Sequence, residues 1–246
     1  SKVDSLFLPR YRLARPEAGG ISFVCQSGAV GSTILDLAAK QGYKFSKFIS
    51  YGNGTVLDES DFIEYLGKDK TTKVICLYVE AVKDGKKFMK VVRNVVKNKP
   101  VIVIKGGLTD EGNKATLSHT GSLAGNADVY LGIFKQVGVI YAENLREMLN
   151  FVSIFEKSMK PKGNKVQIIT NGGGYGILST DAISKNKNLE MAELNRDTVK
   201  WLRYRLPDIV TVSNPMDLVG DATAKRYRFA LDGCLSDKNV DIVLLI

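Results

Sequence analysis

The only histidine of the chain, His119, stands in the run Ser118-His119-Thr120-Gly121-Ser122, where small neighbours permit close approach of a ligand. A neutral imidazole is a competent nucleophile near pH 7. Such a ring needs a partner that fixes its tautomer and stabilises the positive charge it gains. Glu80, at the end of the apolar run Val74–Val79, is the candidate. A carboxylate at the carboxyl end of a buried strand faces the ligand crevice and can accept a hydrogen bond from one ring nitrogen. The plain alternatives are an incidental histidine and a solvated strand-end glutamate. Metal ligation has little support: the three cysteines, Cys25, Cys76 and Cys234, are scattered, and no Cys-x-x-Cys pair occurs. The pattern predicts no metal site.

Two strand–glycine–helix turns carry the second kind of chemistry. They are Cys25-Gln26-Ser27-Gly28-Ala29 and Asn171-Gly172-Gly173-Gly174-Tyr175. The first N–H groups of a helix lack intrahelical acceptors and carry about half a positive charge, so an anion fits there. Glycines let the backbone come close to it. Gln26, Ser27, Gly28, Asn171, Gly172, Gly173 and Gly174 are therefore the candidate phosphate-binding residues, the alternative being that the glycines only ease tight turns. Gly172, Gly174 and Gly176 have the wrong last interval for a dinucleotide fingerprint, which disfavours a nicotinamide dehydrogenase. Gly107 and Gly112 have the interval of a P-loop, but Asn113-Lys114 stands where Lys-[Ser/Thr] is needed, so no Walker A site is present.

The elements that must position these residues alternate regularly. Strands are predicted over 21–25, 47–50, 74–79, 101–104 and 139–141, and helices over 29–40, 58–66, 88–96, 127–136 and 145–155. The stretch 106–125 reads as a long polar loop, and loops of that length in a compact domain tend to be functional. Five such units predict an α/β, flavodoxin-like, doubly wound parallel sheet. Pro161-Lys162-Gly163-Asn164 breaks the pattern, which restarts with a strand over 166–170, a glycine turn and a helix through Ile183. An offset of 145 residues places Gly173 on Gly28, Gly176 on Gly31, Asn171 on Gln26 and Asp181 on Asp36, the signature of an internal repeat. Both copies follow with a polar loop ending in acid: Gly52-Asn53-Gly54 through Asp58, and Asn214-Pro215-Met216-Asp217 through Asp221. The expected organisation is a lead-in or linker over 1–19, a first domain over 20–160 and a second over 164–246. The second stops inside a predicted strand, so the chain reads as a piece of a longer protein with the second flavodoxin-like domain truncated.

Composition narrows the classes further. No apolar run approaches the roughly 20 residues of a membrane helix and no signal peptide opens the chain, so no membrane partner is expected. Three scattered cysteines suit a reducing, cytoplasmic setting. The excess of 35 Lys and Arg over 26 Asp and Glu, a net +9, favours an anionic partner. Nucleic acid is disfavoured, since no recognised motif and no aromatic–basic interleaving accompanies the charge.

Four blocks together resemble the NDP-forming acyl-CoA synthetases, nearest the ADP-forming acetate–CoA ligases of archaea and more distantly succinyl-CoA synthetase. They are Cys25-Gln26-Ser27-Gly28-Ala29-Val30-Gly31, Leu77-Tyr78-Val79-Glu80, Ser118-His119-Thr120-Gly121-Ser122-Leu123-Ala124-Gly125 and Asn214-Pro215-Met216-Asp217. The resemblance covers residues from about 20 onward. It implies that acyl-CoA and phosphate give acyl phosphate and CoA, that His119 takes the phosphoryl group, and that the phosphohistidine phosphorylates ADP. It implies that Glu80 orients His119 and that the two helix N-termini cradle the phosphohistidine. Asn53, Asp217 and Asp221 are possible substrate-pocket residues or turn formers. The family's CoA-binding Rossmann domain and its ATP-grasp module, which binds Mg2+ and nucleotide, have no counterpart in this sequence. Coenzyme A, ADP or ATP and Mg2+ are thus expected mainly through those missing modules, within an oligomeric assembly. On that reading the isolated chain is an inactive or incomplete ligase, and a non-catalytic CoA- or acyl-sensing module of the same fold is the competing reading.

Overall fold

The structure, a computed structural model, describes residues 4–6, 8–120, 125–157 and 161–246, leaving aside the side chains of Leu117, His119, Thr120 and Lys157. The chain divides into two compact units, Ser1–Met159 and Lys160–Ile246.

The first unit runs β1 (Ala18–Cys25), α1 (Gly28–Lys40), β2 (Phe45–Ser50), α2 (Glu59–Lys68), β3 (Val74–Val79), α3 (Gly85–Val95), β4 (Val101–Lys105), α4 (Asp110–Thr120), α5 (Ala127–Val137), β5 (Ile140–Tyr141) and α6 (Leu145–Lys157). Its strands are parallel in the order β2-β1-β3-β4-β5, the flavodoxin-like winding. A strand buried on both faces must be apolar throughout, and successive side chains then divide between two cores. Phe23, Cys25, Cys76 and Ile102 lie on one face, against Ile34 and Leu35 of α1 and Met148 and Val152 of α6. Val24, Ile75, Leu77, Val79, Val101 and Val103 lie on the other, against Ile63 and Leu66 of α2, Phe88 and Val92 of α3 and Phe134 of α5. Each such fully buried side chain contributes about 1.5–3 kcal/mol.

Two expectations change here. The stretch 106–125 is not one loop, because α4 occupies 110–120. The Thr109 hydroxyl accepts from the Gly112 N–H at 3.1 Å, and Asp110 and Glu111 stand in the first turn, so the helix starts with a polar cap and favourable charge. The lead-in also contributes to the fold: β1 begins at Ala18, and Leu13 is buried in the first core beside Leu6 and Leu8.

The second unit runs β6 (Lys165–Thr170), α7 (Gly173–Lys185), β7 (Glu190–Met191), α8 (Arg196–Arg205), β8 (Met216–Asp217), α9 (Ala224–Ser236) and β9 (Ile242–Leu245). β6 is central and pairs in parallel with β7, β8 and β9. The run 214–217, expected as a loop, contains β8. Its neighbour Asn214 explains how two-residue strands suffice along β6. The Asn214 side chain accepts from the Ile168 N–H at 3.0 Å and donates to the carbonyls of Val166 and Ala192 at 2.7 and 2.9 Å, filling the ladder between β7 and β8. Ile169, Leu202, Leu206, Met216, Leu218, Ala230 and Cys234 form the larger core of this unit.

Candidate active site

At the first glycine turn, β1 ends at Cys25 and α1 begins at Gly28, with Ser27 as its N-cap. The Ser27 hydroxyl accepts from the Val30 N–H at 3.4 Å and the Ser27 carbonyl from the Gly31 N–H at 3.0 Å. The Gly28 and Ala29 N–H groups have no acceptor among the described residues, and both residues are exposed. A methyl group on Gly28 would meet nothing within 4 Å, so open space lies in front of these donors. Gly31 is different in kind: a methyl there would stand 2.7 Å from Phe48 Cζ, and the missing side chain lets α1 pack on the sheet.

Gln26 turns away from that space. Its side-chain oxygen accepts from the Glu80 N–H at 2.6 Å and from the Ala81 N–H at 3.2 Å. It thereby joins the turn after β1 to the end of β3. Glu80 is buried, at 8% exposure, and the Tyr78 hydroxyl donates to its Oε1 at 3.3 Å. Burial and the Glu80 carboxylate push the Tyr78 hydroxyl up to about 12, so it stays a donor throughout the neutral range. Cys25, also in this turn, is a poor rival nucleophile. Burial pushes its thiol up to about 12, and its Sγ donates to the Ser27 carbonyl at 3.0 Å.

Lys105, the last residue of β4, was missed by sequence reasoning. It is 4% exposed, and its Nζ donates to the Glu80 carbonyl at 2.7 Å and to the Gly106 carbonyl. The Nζ also lies 4.5 Å from the centre of the Tyr130 ring. Burial lowers the ammonium to about 8, opposed by the Glu80 charge. The signal that flagged Glu80, an ionisable residue closing an apolar strand, applies equally to Lys105. His119 lies near the end of α4, its side chain outside the described residues, and so do Gly121, Ser122, Leu123 and Ala124.

At the second turn, Gly172 is the N-cap of α7 and offers no side chain. Thr170 braces the turn just before the helix, its hydroxyl accepting from the Gly172 N–H at 3.1 Å. Gly173 and Gly174 are exposed, and their N–H groups have no acceptor among the described residues. A methyl on Gly173 would stand 3.1 Å from Asp217 Oδ2, which places a carboxylate beside the helix N-terminus. Asp217 Oδ1 accepts from the Val219 N–H at 2.9 Å and holds that β-branched residue at φ 66°, in the left-handed region. Asp221 is not gathered into this turn. It is exposed and ion-paired to Arg226 at 2.7 Å, which holds its carboxyl below the ordinary value. Asn53 is exposed between Gly52 and Gly54, both with positive φ, at a tight turn of the first unit. Asn171 makes no side-chain hydrogen bond among the described residues.

Comparison with known proteins agrees with this architecture. Residues 18–155 match the model of the succinyl-CoA ligase like flavodoxin domain. The chain is 44% identical over 231 residues to acetate–CoA ligase [ADP-forming] I of Archaeoglobus fulgidus, covering 94% of this chain and 33% of that protein. It is 43% identical over 228 residues to acetate–CoA ligase [ADP-forming] II subunit alpha of Pyrococcus furiosus, covering 93% and 50%. It superposes with TM-score 0.86 and 30% identity on dinucleotide-forming acetyl-coenzyme A synthetase 1 of Ca. Korarchaeum cryptofilum, solved with phosphate and ADP, over 93% of this chain and 50% of that one. The chain thus spans a third to a half of the length of these relatives. With the matched model covering more than half of the sequence, the chain belongs to the family of succinyl-CoA ligase-like flavodoxin domains.

Proposed function

We propose that this chain is the phosphohistidine-bearing part of an ADP-forming acyl-CoA synthetase of the acetate–CoA ligase type. A phosphate oxygen attacks the thioester carbonyl of acyl-CoA, and the CoA thiolate leaves. A ring nitrogen of His119 then attacks the phosphorus of the acyl phosphate and releases the carboxylate. A β-phosphate oxygen of ADP takes the phosphoryl group and frees the ring. Glu80 orients the imidazole and stabilises its charge. The exposed N–H groups of Gly28 and Ala29, and separately those of Gly173 and Gly174, are the anion donors.

The observation that carries this reading is the buried Glu80, tied through Gln26 to the turn whose helix N-terminus lies open to an anion. The relatives named as ADP-forming ligases support the same chemistry. CoA and nucleotide binding fall mainly to a CoA-binding domain and an ATP-grasp module or partner subunit, and the chain alone turns over poorly or not at all. Mg2+ is expected to enter with the nucleotide on the ATP-grasp module or partner subunit. Among the described residues no helix is long and apolar enough to cross a membrane. The three buried free cysteines suit a reducing cytoplasm. Acetate, or a carboxylic acid of similar chemistry, is the acyl partner.

The test is phosphoryl labelling of the assembled enzyme with radiolabelled acetyl phosphate. The wild type is expected to acquire an acid-labile, base-stable adduct, and His119→Asn to acquire none. Equal labelling of the two would leave the CoA- or acyl-sensing module in its place.

A further inference from the structure

Burying an ammonium that makes no ion pair is costly unless hydrogen bonds compensate it. Lys105 is such a group. Among the described residues no carboxylate forms an ion pair with it, and its partners are two main-chain carbonyls and one aromatic face. Both carbonyls belong to residues just past the ends of neighbouring strands, Glu80 after β3 and Gly106 after β4. The supporting ring joins the same assembly, since the Tyr130 hydroxyl accepts from the Val82 N–H at 3.2 Å. The Gln26 side-chain oxygen accepts from the Glu80 and Ala81 N–H groups of the same segment. Among the described residues the backbone of 80–82 is thus held by the side chains of Gln26, Lys105 and Tyr130, and Lys105 is the one whose placement costs most.

We propose that Lys105 is a positioning residue. It holds the Glu80 carbonyl against the end of β4 and the face of Tyr130, and so fixes the backbone from which the Glu80 carboxylate projects. This rests on the phosphohistidine reading for its functional consequence, and on the hydrogen bonds of Lys105 for its structural one.

Two measurements on the assembled enzyme test it, both with Lys105→Met, which keeps the length of the side chain and removes the donors. Amide hydrogen exchange at Glu80, Ala81 and Val82 is expected to accelerate about tenfold, beyond any change in exchange across the rest of the first unit, as for the loss of a local constraint. Unchanged exchange at these three amides overturns the proposal whether or not His119 carries phosphate. The labelling rate at saturating acetyl phosphate is expected to fall about tenfold with KM nearly unchanged, and the same substitution in a Glu80→Gln background to cost almost nothing more. A full additional loss in that background would mean that Lys105 acts independently of Glu80, which also overturns it. Should Lys105→Met fail to fold, Lys105→Gln, which retains an amide donor, is read by the same two criteria with intermediate effects expected. Loss of the distinction between wild type and His119→Asn removes the phosphohistidine reading instead and leaves the exchange result standing.

Discussion

The helices α1 and α7 are both 13 residues long and begin 145 positions apart, so the chain presents the same strand–turn–helix device twice. The turns in front of them are built differently. In the first, Ser27 caps the helix and Gln26 reaches across to the main chain of Glu80 and Ala81. In the second, the cap position is glycine, the local support comes from Thr170, and the neighbouring acid is Asp217 on the adjacent strand. Both helices leave two exposed N–H groups without acceptors among the described residues, at Gly28 and Ala29 and at Gly173 and Gly174. The first turn thus couples an open helix N-terminus, through Gln26, to the backbone of a buried carboxylate. The second sets a carboxylate directly beside its own helix N-terminus. The shared helix supplies an anion-binding tendency, and the flanking side chains decide what chemistry accompanies it.

The strongest way to break this contrast is to exchange carboxylate for amide at the first turn. Glu80→Gln keeps the size of the side chain and loses its charge. In the assembled enzyme it is expected to slow labelling of His119 by about 10²–10⁴-fold, the range for removing an acid–base or histidine-orienting partner. Single-turnover labelling with acetyl phosphate measures it, and a rate within twofold of wild type would remove Glu80 from the mechanism.

A smaller effect separates the packing of the two helices. Gly31 and Gly176 occupy equivalent positions, and each is buried. The methyl of Gly31→Ala would stand 2.7 Å from Phe48 Cζ, whose ring is stacked against Phe23. That of Gly176→Ala would stand 3.1 Å from Pro215 Cβ. Overpacking of this kind costs about 1–3 kcal/mol. Gly31→Ala is expected towards the upper part of that range and Gly176→Ala towards the lower, by urea denaturation of each variant. The reverse order would show that Phe48 gives way more easily than the segment around Pro215.

The sequence made the winding legible because strands buried on both faces must be continuous apolar runs, and Val74–Val79 and Val101–Ile104 are such runs. The repeat was legible because glycine is demanded at the same helix–sheet contacts in each copy. Helix α4 was hidden, since Asp110-Glu111-Gly112-Asn113 has little apolar periodicity and the helix depends on its cap at Thr109. β8 was hidden because a two-residue strand has no period, and the asparagine that makes it viable bonds across the sheet to residues 46 to 48 positions earlier. In the site, Glu80 stood out by position alone. The convergence of Gln26, Lys105 and Tyr130 upon residues 80–82 could not, because those contacts join residues distant in the chain.

The gentlest probe makes the same carboxylate-to-amide exchange at the second turn, with the opposite expected sign. A charge beside the N-terminus of α7 interacts favourably with the helix, but it also repels any anion that approaches Gly173 and Gly174. Asp217→Asn retains an oxygen that can accept from the Val219 N–H, so the strained loop keeps its tether. Phosphate affinity at this turn is then expected to rise about two- to fivefold, matching the 0.3–1 kcal/mol typical of a charge at a helix end. A phosphate titration followed at the amide resonances of Gly173 and Gly174 reads it, with Gly28 and Ala29 as the internal reference. Those two should shift at lower phosphate concentration than Gly173 and Gly174 in the wild type, and at the same concentration in the variant as before. If Asp217→Asn weakens phosphate binding at Gly173 and Gly174, the carboxylate is organising that turn for its ligand rather than competing with it, and the two turns are closer in design than their side chains suggest.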